Sequence, residues 1–340
     1  MRYLSPASLP DGSQFNPSDK KSLQLQKKKL LAEIELSTEG ELRINDQTFS
    51  KNDILAYFDS LEDENIISYH EAIGKDKTLV RFLETGRLTD RTAFAQATLY
   101  SDARFLQWIS PYFYIVFTGF VYRCLENTDI VGLETILQNP LLLTDQDREN
   151  AWLKIGQMLE DNIDQLDHYH EQDKKKPTLS VDDLDVLITK PLTRMILLFP
   201  ETPFSGIRDK YAFAIMQVCI YTYNNDKAHR KHIDPWMENA KALAASERMA
   251  DELASKHQEI KKLREKSRQS TLFRGAFLLI FILVKFIPGS NYPSPSNSQP
   301  PITTFSFHAD TIHNTHSPDS VTLKRWSADS TVLTTPQIKQ

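Results

Sequence analysis

The chain has 340 residues and a formal charge of −5, with only ten glycines and two cysteines. Such a length allows one to three domains with ordinary cores, while a glycine share well below the usual value of roughly 7% disfavours phosphate-cradling loops and tight β-turns. Residues 256–274 carry +5 and residues 275–340 carry +1, which leaves −11 on residues 1–255; an acidic body of this kind argues against nucleic acid as a partner.

Residues 1–17, with Pro6, Pro10, Gly12 and Pro17 among polar side chains, read as a disordered arm. An α-helical cytoplasmic domain is expected over residues 18–234. Its first helix opens at Ser18 and interleaves Leu23, Leu25, Leu30 and Leu31 with Lys20, Lys21, Lys27, Lys28 and Lys29. The lysines read most simply as a solvated face, with a membrane-surface contact as the sharper alternative. Ile34 and Leu36, then Leu42 and Ile44, alternate with charged residues on either side of Thr38-Glu39-Gly40, so a small hairpin is expected there.

Ser50 followed by Asp53 predicts a helix start, with Ile54, Leu55, Phe58 and Leu61 at helical spacing. Further helices follow through Ile66/Ile67/His70/Ile73, through Leu79/Val80/Leu83, and from Thr89-Asp90. The uncharged, aromatic segment from Phe105 to Tyr122 resembles a membrane crossing in hydropathy, but Gln107, Ser110, Pro111, Thr118 and Gly119 interrupt it. A central core helix is the preferred reading. Thr144 with Asp147 predicts another helix start, with Trp152, Ile155, Leu159, Ile163 and Leu166 on one face and Glu160, Asp161, Asp164 and Asp167 on the other.

A polar loop at 171–178 is a candidate subdomain joint. Beyond it, Val186–Phe199 reads as a helix kinked near Pro191, and Ile207–Tyr223 as a second. Nothing in the sequence from Pro235 to about Leu272 breaks a helix, and Ala242, Ser246, Met249, Leu253, Lys256, Ile260, Leu263 and Ser267 follow a heptad spacing. A stalk helix over 235–271 is therefore expected, offering a surface for homo-oligomerisation.

The apolar run Gly275–Val284 is short for a bilayer core of about 30 Å. Arg274 and Lys285 at its ends can extend along lipid toward head groups, so a transmembrane helix is expected over 272–292, anchored by Arg274, Phe277, Leu279, Ile282 and Lys285, with Tyr292 at the outer interface. Lys and Arg ahead of the run put the N-terminus on the cytoplasmic side of the inner membrane. The Ser/Thr/Pro-rich residues 293–340 then form a flexible tail outside it, periplasmic if the source is bacterial. No signal peptide is legible at Met1-Arg2-Tyr3-Leu4-Ser5-Pro6.

Candidate chemistry is sparse. His229 and His232, three residues apart with Asp226 and Asp234 nearby, share a helical face as metal ligands would; Lys227, Arg230 and Lys231 raise the cost of a cation there. His308, His313 and His316, with Asp310, form a weak metal-binding cluster in the tail. His168 and His170, two apart, share a face only in extended chain, and His70 reads as a core-edge histidine with general-base chemistry as the alternative. Cys124 and Cys219 sit in apolar stretches and read as buried thiols. No catalytic residue is assigned and no cofactor is implied, because no Gly-x-Ser-x-Gly, His-Glu-x-x-His, Walker or dinucleotide motif occurs.

The expected fold is mainly α: a multi-helix cytoplasmic domain with a small N-terminal β-hairpin, a long C-terminal stalk helix and one transmembrane helix. The expected function is a single-pass, membrane-anchored scaffold or adaptor contacting the lipid bilayer and protein partners on the cytoplasmic side, for example within a bacterial envelope machine. The alternatives are a membrane-tethered signalling regulator with an outer sensing tail, and a hydrolase of unrecognised helical fold.

Overall fold

The computed structural model describes residues 3–10, 15–45, 47–88, 93–95, 98–171 and 180–285, and it is mainly helical with one small antiparallel sheet. The expected helix from Thr89-Asp90 opens outside the described residues. Residues Met1–Phe277 form one compact unit; the second, Leu278–Gln340, is described only as far as Lys285.

Helix α1 (Lys20–Leu36) starts where the Asp19 carboxylate accepts the N–H groups of Lys21 and Ser22, a standard N-cap arrangement. It buries Leu23, Gln26, Leu30 and Ile34 on one face. The hairpin exists but is displaced from the expected position. Ile34 and Leu36 belong to α1, and the strands are β1 (Glu41–Ile44) and β2 (Gln47–Ser50), with Ile44 paired to Gln47. A turn beginning at Asn45, whose φ is +48°, closes it, and asparagine tolerates that left-handed conformation better than most residues. Ser50 and Asp53 then form a reciprocal capping box that starts α2 (Lys51–Ser60).

Residues 3–10 are not the free arm expected from their prolines. Tyr3, Leu4 and Leu9 are all under 5% exposed. Tyr3 joins the large hydrophobic cluster, whereas Leu4 and Leu9 join a smaller one built from α1, the hairpin and α2. This short strap therefore ties two cores together. Its polar anchor is Glu84, whose carboxylate accepts the Ser5 N–H (3.2 Å), the Ser8 hydroxyl (2.5 Å) and an Asn45 amide hydrogen (3.4 Å).

Helices α3 (Glu64–Gly74) and α4 (Lys77–Thr85) lead to α5 (Ala103–Glu126), the aromatic segment. Its Phe105, Phe113 and Phe117 are fully buried, which makes it a core helix. Gly86 ends α4 at φ +67°, and its carbonyl accepts a bond from the Arg123 guanidinium on α5 (2.5 Å); the left-handed C-cap favours glycine there.

From α5 onward the long helices are separated by one or two short ones: α6 (Ile130–Gln138), α7 (Asp145–Glu171), α8 (Val181–Leu187), α9 (Lys190–Leu198), α10 (Glu201–Asn225) and α11 (Ile233–Leu243). Along α5 and α7, Ser110 meets Asp147, Phe117 meets Trp152 and Tyr122 meets the Lys154 carbonyl. The order is the same in both, so the two helices run the same way. Trp152 with Phe204, Glu160 with Lys210 and Tyr169 with Tyr221 show the same for α7 and α10. A Cβ added to Gly156 would meet the terminal methyl of Ile207 at 2.8 Å, so α7 and α10 approach closely there and a larger residue would have to displace that side chain. The short helices make the return passes, α6 packing on α9 and α9 on α11. The result is a set of stacked helix pairs in which each tier mainly touches its neighbours, an organisation shared with helical-repeat proteins.

The helix expected over Val186–Phe199 is two helices rather than one kinked helix. Thr189 caps α9, accepting the Leu192 N–H, and Pro191 sits in its first turn, where a missing N–H costs nothing. The buried Arg208 guanidinium donates to the Phe199 carbonyl at 2.5 Å and to the Ile196 and Leu197 carbonyls at 3.5 and 3.4 Å, closing the C-terminus of α9. Most of the candidate joint at 171–178 falls outside the described residues; one hydrophobic cluster nonetheless joins Leu166 and Tyr169 before it to Leu184 and Ile188 after it.

The uninterrupted stalk over 235–271 is also corrected. The chain breaks between α11 and α12 (Glu247–Lys285) because the Asp209 carboxylate captures the N–H groups of Ala245 (2.7 Å) and Ser246 (3.1 Å), and the Ser246 hydroxyl caps the new helix. Leu253, His257 and Ile260 are buried against the chain's own body, so the central part of the heptad stripe is not left for a second copy.

The transmembrane expectation is overturned. Among the described residues no helix is long and apolar enough to cross a membrane. The apolar part of α12 is the ten residues between Arg274 and Lys285, which extend about 15 Å at 1.5 Å per residue, half of a bilayer core. Arg274, Phe277, Leu279, Ile282 and Lys285 lie on the α12 backbone, and Tyr292 and the tail lie outside the described residues. The assignments to the inner membrane and to a single-pass topology fall with that helix.

Candidate functional site

A cluster of ionisable side chains forms where α10 ends and α11 and α12 meet. The Asp226 carboxylate accepts the backbone N–H groups of Ala228 and His229 and lies 2.6 Å from His229 Nδ1. The His232 ring lies beside that of His229, with centroids 6.0 Å apart, but its Nδ1 faces Asp185 of α8 at 3.3 Å. Asp185 also accepts the indole N–H of Trp236 at 2.9 Å. The two histidines singled out as metal ligands are thus neighbours, each turned to a different carboxylate.

The third histidine of the cluster is His257, only 2% exposed. Its Nε2 lies 3.1 Å from Asp234 and its Nδ1 faces Glu238 at 3.4 Å, while Arg264 donates to Asp234 at 2.5 Å and to the Arg230 carbonyl at 2.6 Å. Arg230 in turn donates to the Tyr223 carbonyl (2.8 Å) and lies over the Tyr223 ring. Burial opposes ionisation of Asp234, but hydrogen bonds from His257 and Arg264 with their positive charge outweigh it and hold the carboxyl below its usual range. The same balance, with His229 as the donor, lowers Asp226.

Histidine–carboxylate pairing here fastens α8, α10, α11 and α12 to one another. Among the described residues no group of three or more His, Cys, Asp or Glu side chains could hold a metal ion. Sequence reading brought His229, His232, Asp226 and Asp234 together but passed over His257, Arg264 and Asp185. His257 had a signal, since it stands four residues after Leu253 and three before Ile260, on the same helical stripe.

Comparison with protein-family models, with curated proteins and with solved structures finds no match to this chain. The site must therefore be read from its own chemistry.

The remaining candidates resolve as follows. His308, His313 and His316 lie outside the described residues. His168 hydrogen-bonds the Asp164 carbonyl at 2.6 Å, and α7 runs to Glu171, so the segment is not the extended chain that a joint ligand role requires. His70 is buried, with Nδ1 3.0 Å from the Tyr3 hydroxyl and its ring edge-on to Trp108. Burial pulls its pKa down to about 4 and pushes that of Tyr3 well up. A neutral imidazole beside a firmly protonated phenol is a fastener, with no activated nucleophile. The cavity they line, with Tyr57 and Tyr112, is about 10 Å³, room for a single water. Both cysteines are buried, and burial raises the Cys124 thiol to about 12, which makes it inert.

The junction carries a direct test. Asp234→Ala removes the acceptor shared by His257 and Arg264. Asp234 is nearly half exposed, so solvent screening limits the loss to about 1 kcal/mol. Amide exchange is expected to accelerate selectively over residues 249–264; uniform protection there would show that apolar packing alone holds α12.

Proposed function

We propose that this chain is a protein-interaction scaffold whose stacked helix pairs dock other proteins. The observation that supports this most is the surface of its long helices. Three of them carry a large apolar side chain in solvent: Ile115 on α5 is 43% exposed, Leu153 on α7 is 64% and Phe213 on α10 is 40%. Fully burying one such side chain contributes about 1.5–3 kcal/mol, and interfaces concentrate their energy on a few anchors of this type. Tiers that touch mainly their neighbours also present broad surfaces of the kind that helical-repeat proteins use for binding.

A photo-crosslinking amino acid at Phe213, in the full chain expressed in its native cells, is expected to give discrete adducts with a small set of proteins. Those adducts should disappear when Ile115 and Leu153 are replaced by Ser. Absence of protein adducts, or adducts indifferent to the two substitutions, would remove the support for docking on this surface.

A further inference from the structure

A cleft of about 330 Å³ lies between α3 and α5. Its two walls have local causes. Asp63 starts α3 by accepting the Asn65 N–H at 2.9 Å, and Asp102 starts α5 by accepting the Phe105 N–H at 2.8 Å. Four-residue spacing then sets Asn65 with Tyr69 on one side of α3, and Arg104 with Trp108 on one side of α5. Ile66, Tyr69 and Trp108 are half-buried and make the apolar part of the lining. The Trp108 ring is fixed by its neighbours, with centroids 5.0 Å from His70, 5.5 Å from Tyr69, 5.9 Å from Tyr112 and 6.0 Å from Phe105. An aromatic wall ordered in advance lowers the entropic cost of binding.

The polar groups beside that wall are free. Among the described residues the Arg104 guanidinium, the Gln107 amide, the Trp108 indole N–H and the Tyr69 hydroxyl have no hydrogen-bond or ion-pair partner. The guanidinium and the indole N–H can only donate. Asp63, the carboxylate of the cleft, is engaged in the α3 cap, where one of its oxygens accepts both the Asn65 N–H and the Asn65 amide at 3.0 Å. A solvated arginine is ordinary by itself; this one stands one helical turn from a half-buried indole, in a concave surface where unpaired donors are in excess.

We infer that this cleft binds a small aromatic carboxylate, its ring against Trp108 and Tyr69 and its carboxylate on Arg104. The planar guanidinium fork matches a carboxylate in geometry as well as charge. The volume is at the lower end of small-molecule sites, which suits a ligand of one or two rings. Asp63, on the α3 side, repels an anion, so the charged end of the ligand belongs on the α5 side. The inference goes beyond the scaffold reading and does not rest on it, since crosslinks from Phe213 report other proteins while ligand binding is read from the pure chain.

Nuclear magnetic resonance of the purified full chain, labelled with nitrogen-15 at tryptophan, tests the site; the Trp108 indole signal is identified by its loss in Trp108→Phe. Titration with phenylacetate is expected to move that signal saturably, with a dissociation constant on the order of a few millimolar or tighter, as suits an open cleft and a ligand of this size. 2-Phenylethanol, which lacks the charge, and cyclohexylacetate, which lacks the aromatic ring, should both bind more weakly, the alcohol by about tenfold. Arg104→Gln should bring phenylacetate down to the level of the alcohol, whereas Asp63→Asn, which keeps a competent N-cap, should tighten it by removing the repulsion. Arg104 is exposed, so its variant should keep the circular dichroism spectrum and melting temperature of the parent. No saturable movement at ten times the expected concentration, equal affinity for phenylacetate and the alcohol, or phenylacetate affinity unchanged in Arg104→Gln would each overturn the proposal.

Discussion

Between pH 6.5 and about 4 the protein is expected to lose about 3 kcal/mol of folding stability through a single side chain, His70. The imidazole is buried, and it holds the Tyr3 hydroxyl without charge. In the unfolded chain the ring takes up a proton near pH 6.5, whereas in the fold burial delays protonation to about pH 4. The unfolded state therefore binds more protons throughout this window. The contribution is complete above pH 6.5, declines as pH falls, and levels off below about 4. Glu84 acts in the opposite sense, because burial raises its carboxyl above the usual range despite hydrogen bonds from Ser8, Ser5 and Asn45. Comparing urea unfolding of the parent with His70→Asn across this range isolates the histidine. The variant should show a profile flatter by about 3 kcal/mol, and identical profiles would show that the ring is not buried neutral.

Trp152→Ala is expected to be the most damaging single truncation in the tiers, at about 3–5 kcal/mol. The indole makes edge-to-face contacts with Phe117 of α5, Phe199 at the end of α9 and Phe204 of α10, at centroid distances of 5.7, 6.3 and 5.8 Å. Removing it leaves a cavity where three elements meet, and long helices running the same way have little freedom to close it. Trp152→Phe keeps most of the buried area and should cost less than half as much. Calorimetric unfolding of both variants measures the difference. A loss under about 1 kcal/mol for the alanine variant would mean that the tiers are joined elsewhere.

The parts of the fold that were legible in the sequence are those whose cause is local. Ser50 with Asp53, Thr144 with Asp147, and the 3.6-residue stripes of α2, α3, α5 and α7 all act within one or two helical turns. What escaped depends on distant groups. Asp209 ends α11 from 36 residues away, and Tyr3 is drawn into the interior by His70, 67 residues on. The hairpin was misplaced because its turn lacks the glycine usually sought there, while Gly40 drew attention to the wrong side of β1. At the candidate site, Asp226 and Asp234 stood close to His229 and His232 in sequence; Asp185 and Arg264 came only with the packing of α8 and α12. The membrane helix was inferred from flanking charges around a ten-residue run, and flanks do not lengthen a helix's apolar surface.

The strap at residues 3–10 bears on how the protein is handled. Tyr3 is 1% exposed, so a fluorophore attached to a side chain of this strap would have to enter the seam between the two cores. Labels introduced at solvent-facing side chains such as Gln24 avoid that seam.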